Sequence, residues 1–191
     1  MSQQEQTIGT NNINKKLWAV SDFKIISETW DKHKTKDGSL LKARVILTSV
    51  RLETSLNEIE ARVRAGEKPK IGLTFRTKNF FEIESPPELR GNPDTKQYSN
   101  EELRASITET DTDFNTIQQS WNSYELENGM TLKIRISIVQ LNKTSKFDDR
   151  GMPVYFVESS VELKTELPDH LKELAQKIKK DAETLTFKPV S

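Results

Sequence analysis

Two tryptophans and four cations are the residues in this chain best suited to grip a ligand. Trp30 and Trp121 are each followed by a Leu-Lys-x-Arg motif, which supplies Lys42 and Arg44 after the first and Lys133 and Arg135 after the second. An indole face stacks on a nucleobase or receives a partner's apolar side chain, and cations spaced two apart on a strand meet phosphates from one face. Each feature also has a structural meaning. A tryptophan near the end of a strand caps a core, and lysines on a solvated strand face discourage unwanted edge pairing.

Other chemistries find little material. The 191 residues contain no cysteine, which removes disulfides, thiol nucleophiles and thiolate metal sites. His33 and His170 are the only imidazoles, and nothing in the sequence brings them together. Glu109, Asp111 and Asp113 alternate as calcium ligands do, but the glycine and terminal glutamate of such a loop are missing. No serine sits in a Gly-x-Ser-x-Gly elbow, and no glycine-rich phosphate loop is present. Glu82 with Glu84, or Glu125 with Glu127, could serve as acid and base, although that spacing is common on any exposed strand face. No cofactor or metal is called for by these residues.

The elements that position the tryptophans and cations emerge from self-similarity. A shift of 91 positions superimposes Asp22, Phe23, Ile26, Trp30, Gly38, Leu41, Lys42 and Arg44 on Asp113, Phe114, Ile117, Trp121, Gly129, Leu132, Lys133 and Arg135, eight identities in 26 residues. Chance gives about one or two, so the chain reads as internally duplicated. In both copies apolar residues then alternate, Leu41 to Leu47 and Leu132 to Ile138, which is the period of a strand with one buried face. The apolar phase shifts afterwards to Val50 and Leu141, as a β-bulge requires. Asp37-Gly38 and Asn128-Gly129 mark hairpin turns, expected as type I′. Ahead of each turn a single strand is expected to carry Phe23, Ile26 and Trp30, or Phe114, Ile117 and Trp121. Later runs, Ile71 to Phe75 and Tyr155 to Leu163, supply third strands whose starts are marked by Pro69 and Pro153. Capping boxes at Ser55 and Ser99, and a stripe of Leu171, Leu174, Ala175, Ile178 and Ala182, predict three helices.

The expected fold is therefore α+β and β-rich. Strand-strand-helix-strand units form a pseudo-twofold, barrel-like domain, a closed six-stranded barrel being the suggested form, with an amphipathic helix at the C-terminus; two β-rich subdomains packed side by side, or one larger twisted sheet with helices on a face, are the alternatives. The expected divisions are a flexible tail over residues 1–16, a first unit over 17–94, an acidic linker with a short helix over 95–112, a second unit over 113–164, and a C-terminal helix and tail over 165–191. Trp18, with Leu17, Ala19 and Val20, predicts an N-terminal strand.

Charge narrows the function. The 29 basic and 29 acidic side chains balance, whereas a dedicated nucleic-acid domain is clearly basic. The balance is uneven along the chain. Residues 14–53 carry nine cations and five anions, net +4, and residues 97–128 carry one cation and seven anions, net −6. Such polarity suits an oriented encounter with another protein or with a second copy. The leading expectation is a non-catalytic binding or scaffold module working through protein–protein interaction or self-association. One alternative is a nucleic-acid-binding β-barrel using Trp30, Trp121, Lys42, Arg44, Lys133 and Arg135. A second is an enzyme with a carboxylate site between the units. With no signal-type apolar run and no membrane-length segment, a soluble, cytoplasmic protein with no membrane partner is expected.

Overall fold

The computed structural model describes residues 19–186. The expected tails, and Leu17 and Trp18 of the expected N-terminal strand, lie outside the described residues. Along the chain run β1 (Ala19–Ser21), β2 (Phe23–Ser27), β3 (Asp31–Thr35), β4 (Leu40–Leu52), α1 (Leu56–Arg64), β5 (Leu73–Glu84), α2 (Asn100–Ala105), β6 (Ile107–Glu109), β7 (Phe114–Gln118), β8 (Asn122–Leu126), β9 (Thr131–Phe147), β10 (Pro153–Glu166) and α3 (Asp169–Thr186). The chain is α+β and strand-rich.

The strands form two five-stranded antiparallel sheets, and a closed barrel is not found among the described residues. A barrel needs every strand paired on both sides, but β2, β5, β7 and β10 each have a single neighbour. In the first sheet β5 follows β4 along its whole length, while β1 and β3 share the other side of β4, end to end. In the second sheet β10 follows β9, and β6 and β8 share the opposite side. The outermost strands are exchanged: β7 completes the first sheet by pairing with β3, and β2 completes the second by pairing with β8. The single strand expected before each turn is therefore broken between Ser27 and Asp31, and again between Gln118 and Asn122, because its two halves belong to different sheets.

The turns keep their positions and change their type. Gly38 donates to the Thr35 carbonyl and Thr35 to that of Ser39, and the same pair of bonds links Gly129, Leu126 and Met130. Gly38 and Gly129 have φ of 93° and 78°, whereas Asp37 and Asn128 do not enter the left-handed region. This is a three-residue loop closed by a glycine bulge rather than a type I′ turn. The side chains of Asp37 and Asn128 stabilise it by accepting from the backbone N–H two residues ahead, that of Ser39 and of Met130.

The predicted phase shift is a pair of bulges, with Thr48 and Val139 left out of register between β4 and β5 and between β9 and β10. Before the bulge Ala43, Val45 and Leu47 point inward, and after it Val50 does. They meet Leu132, Ile134 and Ile136 of β9 and Tyr124 and Leu126 of β8 in one core, closed by Ile59 of α1 and Leu171 of α3. A second cluster of Leu41, Leu141 and Tyr155 lies toward the first turn. Both capping boxes form, at Ser55 and Ser99. Pro153 opens β10 as expected, but β5 begins only at Leu73, four residues after Pro69.

The gap between β1 and β3 leaves backbone groups of β4 without a ladder partner, and side chains from the other sheet fill it. Asn122 donates to the Val45 carbonyl at 2.6 Å, and the Leu47 N–H donates to the Tyr124 hydroxyl at 3.1 Å. On the opposite side, Gln119 donates to the Ile136 carbonyl at 2.9 Å. Buried backbone groups are costly when unpaired, so these bonds lock the sheets in register. Replacing Tyr124 with Phe strands the Leu47 N–H and is expected to lower stability by about 1–3 kcal/mol in urea unfolding with an unchanged m-value.

Candidate functional site

The structure joins each tryptophan to the arginine of its own motif. The Arg44 guanidinium lies 5.9 Å from the Trp30 ring centre; Trp121 is covered by Arg135 at 4.6 Å and by Lys164 at 4.3 Å. Both indoles are half-buried, held by cation–π attraction on the strand faces that turn away from the core.

The four cations are not brought onto one surface. Because β4 and β9 direct their apolar residues into a shared core, Lys42 and Arg44 lie on the outward face of one sheet and Lys133 and Arg135 on that of the other. Each cation is also neutralised. Lys42 pairs with Glu84 at 2.5 Å, Lys133 with Glu166 at 2.5 Å, Arg135 with Glu162 at 2.6 Å, and Arg44 with Glu28. Glu28 also accepts from the Tyr124 hydroxyl at 2.8 Å, so this carboxylate ties the outward Trp30 corner to the inward lock. Burial, followed by the hydrogen bond and charge of Glu28, pushes the Tyr124 phenol far above its ordinary range.

A partly buried polar knot gathers at the first turn. Asp37 accepts from Thr35 at 2.6 Å, from Lys143 of β9 at 2.6 Å and from Tyr155 of β10 at 2.9 Å. Ser39 and Ser85 extend it, their hydroxyls 2.8 Å apart. Burial alone would raise the Asp37 carboxyl, but the Lys143, Thr35, Ser39 and Tyr155 donors outweigh it and hold the group well below its ordinary value. Burial and the bond to Asp37 push the Tyr155 phenol up to about 12. The hydroxyls of Ser39 and Ser85 are spent on each other, and both residues are buried, so the knot fastens one sheet to the other and presents no reacting group.

Two edge-on ring contacts complete the interior. Phe23 meets Tyr124 edge-on at 5.5 Å, and His33 meets Phe114 edge-on at 5.5 Å. His33 is 1% exposed; Nδ1 lies 3.1 Å from the Thr116 hydroxyl and Nε2 has no partner. Burial lowers its pKa. His170, by contrast, is exposed in the first turn of α3.

Val139, at the β9 bulge, is 63% exposed, and the next most exposed apolar side chains sit on the exchanged strands. Ile25 and Ile26 of β2 are 60% and 59% exposed, and Ile117 of β7 is 59% exposed. Ile26 and Ile117 are both left out of register, each on an end strand of its sheet. The sequence places Ile26 and Ile117 on strands without separating them from the core, and it does not single out Ile25. For the first two a signal is present, since their apolar identity across the 91-residue shift falls outside the alternating runs. The neutralising carboxylates Glu28, Glu162 and Glu166 had no comparable signal, because only the strand pairing brings them to their cations.

Among the described residues no cluster of three or more acidic or histidine side chains could hold a metal ion, and no helix is long and apolar enough to cross a membrane. No protein-family model, curated protein or solved structure matches the chain significantly.

The His33 environment predicts a pH effect. Its folded-state pKa lies below the ordinary value near 6.5, so its contribution is complete above that pH and is lost as pH falls through it, by at most about 1.4 kcal/mol per unit. Urea unfolding from pH 7.5 to 5 is expected to show stability falling with acidity, and His33→Gln is expected to flatten that slope.

Proposed function

We propose that this chain is a non-catalytic binding module that acts through protein–protein contacts, built as a duplicated unit about a pseudo-twofold axis. The observation that carries the contact reading is the exposure of Ile25, Ile26 and Ile117 on the free edges of the two sheets. Isolated exposed apolar residues are ordinary, but here Ile26 and Ile117 lie at bulges on edge strands, with Ile25 beside one of them, where natural sheets place charge or proline to repel neighbours.

The duplication reading is supported by the way the pairing repeats. Phe23 pairs with Leu126 and Phe114 with Thr35, a register unchanged when each position is shifted by 91 toward its counterpart. The Thr29 N–H donates to the Asn122 side chain at 2.9 Å, and the Ser120 N–H to that of Asp31 at 2.8 Å, which is the same bond one copy further on. The bulges at Thr48 and Val139 obey the same offset. On this reading the unit's outermost strand was exchanged between copies, which left one bulged isoleucine on each side of the domain.

Neutralised cations on two opposed faces weigh against a phosphate grip, and the closed hydrogen bonding of the Asp37 knot weighs against an enzyme. Labelled single- and double-stranded oligonucleotides, titrated at two salt concentrations, are therefore expected to show no binding. Steeply salt-dependent binding that is lost when Lys42, Arg44, Lys133 and Arg135 are neutralised would favour the nucleic-acid alternative instead.

The contact reading is tested by placing a photo-crosslinking residue at position 26 or 117 in cells. Covalent adducts with protein are expected at both positions and at neither of two exposed control positions on α3, Glu173 and Lys180. Their absence, or equal yield from α3, would overturn the reading.

A further inference from the structure

We propose that the domain associates with itself head to tail, the β2 side of one copy docking on the β7 side of the next. This rests on the protein-contact reading above and assigns its partner as a second copy of the chain. The two sides carry bulged isoleucines in the same place, but their surroundings are opposite in charge. Beside β7, the outward side chains of β3 and its turn are Lys32, Lys34 and Lys36. Beside β2, the outward side chains at the end of β8 are Glu125 and Glu127. None of these five makes an ion pair among the described residues, unlike the cations of the Leu-Lys-x-Arg motifs.

The acidic side also has a receptacle. A pocket of about 280 Å³ lies against Asp22, Phe23, Lys24, Glu125, Leu126 and Glu127. The partly buried Phe23 gives it an apolar wall that suits the methylene stem of a lysine, and its three carboxylates suit the ammonium. Lys24 is the single cation there, and Asp113 the acidic residue that flanks β7. With these counted, the β2 side carries three acids to one base and the β7 side three bases to one acid.

Charge decides the geometry. Joining β2 to β2 or β7 to β7 would oppose like charges around the isoleucines, whereas β2 on β7 opposes unlike ones. Such a contact uses different patches on the two copies. It leaves one patch of each kind unused at the ends, so it extends into chains unless rotation closes a ring. The bulges at Ile26 and Ile117 keep the edges from zipping into a continuous ladder, which favours a side-chain contact of isoleucines and charges over irreversible strand addition.

Sedimentation velocity of the full chain over a concentration series at low ionic strength tests this. The wild type is expected to show a sedimentation coefficient that rises with concentration and falls back when salt is added. Two charge-reversed variants, Glu125→Lys with Glu127→Lys, and Lys34→Glu with Lys36→Glu, are each expected to sediment as monomers, since both of their sides then carry one sign. Their equimolar mixture is expected to associate again. All four positions are exposed, so thermal unfolding close to that of the wild type is expected and shows that loss of association is not loss of fold. Ile117→Ser, which leaves every charge in place, is expected to weaken association of the wild-type sequence as well. A wild type that stays monomeric at every concentration overturns the proposal, and so does association of the Lys34→Glu, Lys36→Glu variant alone, which would place β2 against β2. If self-association fails while position 26 still crosslinks to a different protein, the contact reading stands without this partner. If both fail, both readings fall.

Discussion

The structure depends on satisfying the backbone of β4 and β9 where their neighbours run out. Each long strand is flanked on one side by two short strands that do not meet, and the groups between them are buried. An unpaired amide in such a place costs as much as the loss of a sizeable core methyl group or two. Asn122 and Tyr124 meet that demand from the opposite sheet, and Gln119 from the break after β7. The two sheets are therefore joined by directional bonds as well as by greasy contact, which fixes their relative register more sharply than packing alone would.

From that lock the connection runs outward. Tyr124 passes a hydrogen bond to Glu28, Glu28 holds Arg44, and Arg44 covers Trp30. The opposite corner reaches a similar outward arrangement by other means, with Glu162 on Arg135 and both Arg135 and Lys164 on Trp121. The motif residues thus brace their own sheets. The bulged isoleucines and the unlike charges beside them are not braced in this way.

Much of the local structure was legible in the letters, because it depends on neighbours in sequence. The alternation of Leu41 to Leu47, the bulge announced by Val50, the turns at Gly38 and Gly129, the capping boxes at Ser55 and Ser99 and the stripe of α3 are all set by spacing. What spacing does not encode is which strand pairs with which. Phe23 and Asp31 are eight residues apart, yet they enter different sheets, and this single divergence turns an expected barrel into two sheets with free edges. It also decides the functional residues. Lys42 and Lys133 share the Leu-Lys-x-Arg motif and look like one site, but burial of β4 and β9 against each other sends them to opposed faces. Ile26, which looks like core, is left outside.

The exchange of β2 and β7 also governs how the chain must come into being. Phe23 pairs with Leu126, and Thr35 with Phe114, so neither sheet can be finished from one half of the polypeptide. On the ribosome, β2 emerges long before β8 exists, and its isoleucines and open amides wait through the synthesis of everything between them. Ring closure over that separation is slow. The nascent first half is thus a species that neighbouring chains on the same message can capture in place of its own second half, and the topology that interlocks the finished molecule exposes its precursors to intertwining with one another.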